Sequence, residues 1–156
     1  MKRLISICLV ALCTISLHAT LPEIVLEDMD GNTVQTDKLA TTRKPVIIAF
    51  FATWCKPCLR ELKAIDELYD DWQEETGVEM YIVSEDQGQD MKKVKPLVNG
   101  NDWDFHVLLD PNGELKRAMN VQNIPHLFVI DSNGQTVYNH SGYVDGSEAE
   151  IRKYLK

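Results

Sequence analysis

The spacing of apolar residues changes several times along the chain, and each change marks an element. Residues 45–52, Pro45-Val46-Ile47-Ile48-Ala49-Phe50-Phe51-Ala52, are apolar without interruption, as expected of a central strand covered on both faces. From Cys58 the apolar positions move to helical spacing at Leu62, Ile65, Tyr69 and Trp72, and Gly77 ends the stripe. Residues 78–83 read as a second buried strand, so strand, helix and strand form a right-handed βαβ unit with parallel strands. Upstream, residues 22–26 and 33–35 flank the turn-rich Asp28-Met29-Asp30-Gly31-Asn32, which predicts an N-terminal β-hairpin followed by a short helical turn from Thr36.

Downstream, Met91, Val94, Leu97 and Val98 predict a helix interrupted near Pro96, and residues 105–109 a short strand closed by Asp110-Pro111-Asn112-Gly113. A short helix over 114–119 precedes a hairpin made of residues 126–130, the turn Asp131-Ser132-Asn133-Gly134, and residues 136–139. Ser147 is placed to cap a last helix with Ile151 and Leu155 on its apolar side. Together these elements predict an α/β fold with a central mixed β-sheet flanked by helices and an N-terminal β-hairpin. No repeat, linker or low-complexity tract interrupts them.

The first residues do not fit that scheme. Lys2-Arg3 precede an almost continuous apolar stretch of fourteen residues, Leu4 to Leu17, which is signal-peptide length and short for a membrane span. The expected division is a signal over 1–19 and one domain over 20–156, with a periplasmic or otherwise extracytoplasmic location. Ala19 suits the residue before a cut, whereas Leu17 is larger than usual there, so an uncleaved anchor stays open. A lipoprotein at Cys13 stays open too, although Leu12 precedes it. At 156 residues the chain suits a single domain. Its net charge is −8, and without Lys2 and Arg3 it has 14 basic against 24 acidic side chains, or −10. Nucleic acid and anionic membrane surfaces are thereby disfavoured as partners.

Removing the signal would also remove Cys8 and Cys13 and leave Cys55 and Cys58 alone in the domain. One close pair, delivered by a strand to the start of a helix, suits disulfide exchange better than a stapled scaffold. At a helix start, free backbone N–H groups and the helix dipole favour the Cys55 thiolate. Lys56 would add positive charge, or is simply a solvated lysine. Pro57 suits a first helical turn, where its missing N–H is not required. Cys58, one turn further in, is the candidate resolving thiol.

The chain resembles the thioredoxin superfamily, and within it the exported TlpA/ResA-like thiol-disulfide oxidoreductases. The residues that carry the resemblance are Phe51-Ala52-Thr53-Trp54-Cys55-Lys56-Pro57-Cys58, Leu108-Leu109-Asp110-Pro111-Asn112-Gly113, and Ile124-Pro125-His126 before a strand ending at Asp131. The resemblance implies that Cys55 attacks a substrate disulfide and that Cys58 resolves the mixed disulfide. It also implies that Ile124-Pro125 is a cis-proline loop facing the thiols and contacting substrate together with Trp54, Lys56, Pro57 and His126. Cytoplasmic thioredoxins carry a strand aspartate where Ala49 stands here. In the TlpA/ResA-like branch a glutamate three residues after the second cysteine is associated with proton transfer, and Glu61 matches it, on the helix face of Cys58. Leu62 and Lys63 follow where that branch usually places a proline. Glu61 could equally be an exposed helical carboxylate, and His126 a strand-start histidine with an ordinary hydrogen bond.

The partners so implied are protein disulfides and an upstream electron donor that could be membrane-bound, for a monomer with no cofactor and no metal. A reductive role, in cytochrome c maturation or general extracytoplasmic disulfide reduction, is the expected direction. A zinc half-site lacks a second cysteine pair, with His106, His126 and His140 scattered downstream. A peroxiredoxin would need proline at position 48 or 51, where Ile48 and Phe51 stand. A copper-handling thioredoxin-like module using Cys55, Cys58 and His126 is the alternative from a different class.

Overall fold

The uninterrupted apolar run becomes the middle of a seven-stranded sheet in the computed structural model, which describes residues 21–156. The segment read as an export signal, with Cys8 and Cys13, lies outside the described residues. The strands are β1 (Val25–Asp28), β2 (Thr33–Gln35), β3 (Val46–Phe51), β4 (Glu79–Ser84), β5 (His106–Leu109), β6 (His126–Ile130) and β7 (Thr136–Ser141), in the order β2-β1-β5-β4-β3-β6-β7. β3, β4 and β5 run parallel, and the other pairings are antiparallel, so the sheet is mixed. The helices are α1 (Lys56–Thr76), α2 (Met91–Gly100), α3 (Glu114–Ala118) and α4 (Glu148–Ile151).

All six β3 side chains are buried because both faces of the sheet are covered. Ile47, Ala49 and Phe51 pack with Leu62, Ile65 and Trp72 of α1, Val94 and Val98 of α2, and Ile151 of α4. Val46, Ile48 and Phe50 join Leu26, Leu39, Leu115 and Phe128 on the other face. Each large apolar side chain so buried contributes about 1.5–3 kcal/mol, which is why this strand needs no polar alternation. Gly77 stops α1 in the left-handed region at φ 70°, its N–H donating to the Gln73 carbonyl at 2.8 Å.

The predicted N-terminal hairpin is present. Asp28 closes it, its carboxylate accepting from the Asp30 and Asn32 N–H groups at 2.8 Å each, and β1 then adds to the edge of β5. Among the described residues no helix is long and apolar enough to cross a membrane.

Three local expectations are corrected. α2 runs unbroken through Pro96, because buried Val94 and Val98 fasten the turns on either side to the core and outweigh the lost backbone bond. Ser147 caps nothing; Glu148 instead accepts from the Gly146 N–H and the Tyr143 hydroxyl, and α4 is a single turn continued by a 3-10 turn over Arg152–Tyr154. β7 extends past Asn139 to Ser141, because β6 offers pairing partners to His140 and Ser141.

Candidate active site

The chain leaves β3 buried at Phe51 and turns sharply, the Cys55 N–H donating to the Ala52 carbonyl at 3.0 Å. Cys55 then stands at the N-cap of α1 with extended backbone angles, and its sulfur accepts from the Cys58 N–H at 3.3 Å. The sulfur therefore occupies the place that an oxygen takes in an ordinary N-cap, against the positive end of a 21-residue helix. Cys55 and Cys58 are joined as a disulfide with their Cα atoms 5.3 Å apart. Cys58 is fully buried, and Cys55 is 5% exposed and is the more accessible of the two. Pro57 lies in the first turn, where no N–H is needed.

The loop before the cysteines is anchored from β4. Buried Asp86 accepts from the Thr53 N–H at 2.9 Å, the Thr53 hydroxyl at 2.7 Å and the Ser84 hydroxyl at 2.8 Å. Trp54, the next residue, is 63% exposed, so its indole lies on the surface beside the disulfide. Lys56 is exposed as well.

The other wall comes from β6. The Ile124–Pro125 peptide is cis, and the Pro125 carbonyl accepts from the Gly142 N–H at 2.8 Å. His126 pairs with Phe50 across the β3–β6 ladder, at the end of the sheet from which the cysteine loop departs. Its ring stacks on Phe128 with centroids 4.5 Å apart, and neither ring nitrogen has a hydrogen-bond partner. The ordinary hydrogen bond entertained for this histidine is therefore absent. Burial, and then the nearby charge of His140, hold its pKa below the usual histidine value.

Glu61 is not an exposed helical carboxylate. It is 2% exposed, on the α1 face packed against the sheet, and its Oε1 lies 2.5 Å from Nε2 of His140. The register explains the meeting. His140 pairs with Leu127, and Leu127 pairs with Ala49, so all three lie on the sheet face that α1 covers. Ala49, standing where cytoplasmic thioredoxins carry an aspartate, offers no carboxylate, and the buried one comes from the helix instead.

The predicted residues thus fall into one neighbourhood of the fold. Trp54, Cys55, Lys56, Pro57, Cys58 and Glu61 belong to the start of α1, and Ile124, Pro125 and His126 to the adjoining end of β6. A dithiol at a helix N-cap, with the first cysteine 5% exposed and the second fully buried, is suited to thiol-disulfide exchange.

The AhpC/TSA family profile matches residues 17–139. The chain is also 31% identical over 135 residues to the thiol-disulfide oxidoreductase ResA of Bacillus thuringiensis subsp. konkukian, covering 86% of this chain and 74% of the relative. The chain belongs to the AhpC/TSA family, among its ResA-like thiol-disulfide oxidoreductases. The solution structure of a thioredoxin-like protein from Porphyromonas gingivalis is 59% identical, with a TM-score of 0.77 over 88% of this chain and 90% of that one. A putative thiol:disulfide interchange protein DsbE from Chlorobium tepidum, 22% identical, has the same fold with a TM-score of 0.74 over 88% of this chain and 94% of that one.

Two residues of this ResA-like site escaped the sequence reading. His140 entered it only as a scattered histidine, although Tyr138 and His140 alternate with exposed Val137 and Asn139 in the period-2 pattern of a half-buried strand. Asp86 carried no comparable signal. Among the described residues no group of three or more His, Cys, Asp or Glu side chains is placed to hold a metal ion.

Proposed function

We propose that this thiol-disulfide oxidoreductase reduces protein disulfides outside the cytoplasm, with Cys55 attacking, Cys58 resolving and Glu61 accepting the Cys58 proton. The observation that carries the reading is the Cys55–Cys58 disulfide at the N-cap of α1, with the Cys58 N–H directed at the Cys55 sulfur. That N–H and the helix end stabilise a thiolate at Cys55, which is the nucleophile of exchange.

In the reduced protein the Cys55 thiolate attacks one sulfur of the substrate disulfide, which releases the other as a thiolate and forms a mixed disulfide. Cys58 then gives its proton to Glu61 and attacks the Cys55 sulfur. The Cys55–Cys58 bond forms, the bond to substrate breaks, and the substrate leaves with both electrons as a dithiol once its sulfurs are protonated. Trp54, Pro57, Ile124, Pro125 and His126 provide the surface on which an extended substrate segment rests, and Lys56 adds positive charge at its rim.

The export segment over 1–19 supports the extracytoplasmic location, and the domain over 20–156 is read as a monomer that receives electrons from an upstream donor. The reductive direction follows the resemblance to the TlpA/ResA-like branch, with cytochrome c maturation or general disulfide reduction as its setting. Cys55→Ser is expected to abolish insulin disulfide reduction, and retained activity would overturn the assignment. Equilibration with a glutathione buffer tests the direction: couples of this fold span about −270 mV for thioredoxin to about −120 mV for DsbA, and a value above about −150 mV would make this one an oxidant.

A further inference from the structure

We propose that His140 is the positioning residue for Glu61 in the resolving step, holding the carboxylate where it can take the Cys58 proton. The inference rests on the role assigned to Glu61 above. Glu61 is 2% exposed and the His140 side chain 16%, and their 2.5 Å contact joins residues 79 apart in the chain. Among the described residues, His140 makes the only hydrogen bond to the Glu61 side chain. A buried carboxylate with one partner takes its orientation from that partner.

Donation from Nε2 to Glu61 requires a proton on Nε2, and Nδ1 is buried without a partner of its own. The ring is held from the side by Tyr138, whose centroid lies 5.5 Å away, and Tyr138 is in turn stacked on Tyr154 at 4.6 Å. β7 thereby delivers an N–H to the helix face Glu61 shares with Cys58.

The proton moves from the Cys58 sulfur to Glu61 as the Cys58–Cys55 bond begins to form, and it leaves for solvent or the departing substrate thiolate. His140 neither gains nor loses a proton in this step. The titratable and charged groups around the pair are Cys58 on α1, Tyr138 on β7, His126 on β6, whose pKa is depressed in part by His140, and, against Tyr138, Glu150 on α4 and Tyr154 in the turn that follows it. Arg60 of α1 is turned to solvent and paired with Asp145 at 3.5 Å.

The decisive measurement is the pH dependence of the resolving step, read by stopped-flow release of thionitrobenzoate from its mixed disulfide with Cys55. His140→Val keeps a β-branched residue in β7 and removes the donor, whereas His140→Gln keeps an N–H donor. H140V is expected to release thionitrobenzoate roughly tenfold to a hundredfold more slowly near neutral pH, with its pH profile displaced from that of the wild type. H140Q should recover most of both, and E61Q/H140V should be no slower than E61Q, because the two residues act in one chain. A wild-type profile in H140V, no recovery in H140Q, or multiplying losses in the double variant would overturn the proposal.

If H140V does not fold, ring ¹⁵N NMR of the wild-type protein decides. His140 should carry its proton on Nε2 and shift when the disulfide is reduced; an Nδ1–H ring, or signals indifferent to reduction, would overturn it. A wild-type protein without disulfide exchange defeats the preceding functional reading. An active one with an unmoved H140V profile defeats only this inference.

Discussion

Two of the buried carboxylates, in different regions of the molecule, are held in opposite ways. Asp110, 1% exposed after β5, accepts from the Glu114 N–H at 2.6 Å and the Lys116 N–H at 2.9 Å, while its own N–H donates to the Ser84 carbonyl at 2.9 Å. Burial pushes its pKa up, and the N–H groups at the start of α3 pull against that rise. Glu61, 2% exposed, has instead one partner, an imidazole from the far end of the chain. A carboxylate held by backbone N–H groups cannot take up a proton without loosening its turn, so it serves structure. One held by a single side chain, a helical turn from a thiol, is free to do chemistry.

Replacing each carboxylate should separate the two uses. Glu61→Gln, nearly the same size, is expected to slow the resolving step roughly 10²-fold near neutral pH, or about 2.7 kcal/mol of barrier, with little change in thermal midpoint. An unchanged release rate would remove Glu61 from the mechanism. Asp110→Ala should show the reverse. It leaves the first N–H groups of α3 without an acceptor and should cost about 2 kcal/mol of stability by denaturant titration, while exchange per folded molecule stays at the wild-type rate. A stable D110A protein with impaired exchange would break the contrast between the regions.

The same contrast explains what could be read from the chain. Asp110-Pro111-Asn112-Gly113 is local: the partners of the Asp110 carboxylate lie within six residues, so turn chemistry and the resemblance placed it before any fold was known. The Cys55–Cys58 pair was legible for the same reason, since strand, N-cap, proline and helix stripe are contiguous in the sequence. The Glu61–His140 pair is not local. It depends on β6–β7 register, in which a slip of one residue would turn His140 to the opposite face. The predicted strand ended at Asn139 because the alternation of Tyr138 and His140 is too short to fix where a strand ends. Their pairing partners on β6 decide it. α2 misled for a related reason, since Pro96 is a local signal and the burial of Val94 and Val98 is a tertiary one.

Asp86 lies between these extremes, a buried carboxylate that serves the site by holding its approach loop. Asp86→Asn keeps one acceptor and turns an amide donor toward the groups that now donate, the Thr53 N–H and the Thr53 and Ser84 hydroxyls. A loss of about 1 kcal/mol is expected, smaller than for D110A because one acceptor survives. Insulin reduction should fall in proportion as the Trp54–Cys55 loop loosens. Full activity in a destabilised D86N protein would show that the loop keeps its place without this anchor.

The smallest effect is expected at His126, which contrasts with His140 one strand away. His140 lies 2.5 Å from a carboxylate oxygen, whereas His126 has unpartnered nitrogens and a pKa lowered first by burial and then by the charge of His140. The lowered pKa means that below about pH 6.5 the unfolded chain binds a proton more readily than the native one. Stability from this site is therefore complete above about pH 6.5 and is lost as pH falls toward the lower native value. His126→Gln should flatten that part of the profile, so that denaturant midpoints at about pH 7.5 and about pH 5 differ less than in the wild type. The ring is only half-buried, and solvent screening keeps the difference small. If H126Q retains the full acid-side loss of stability, the burial of His126 is not its source.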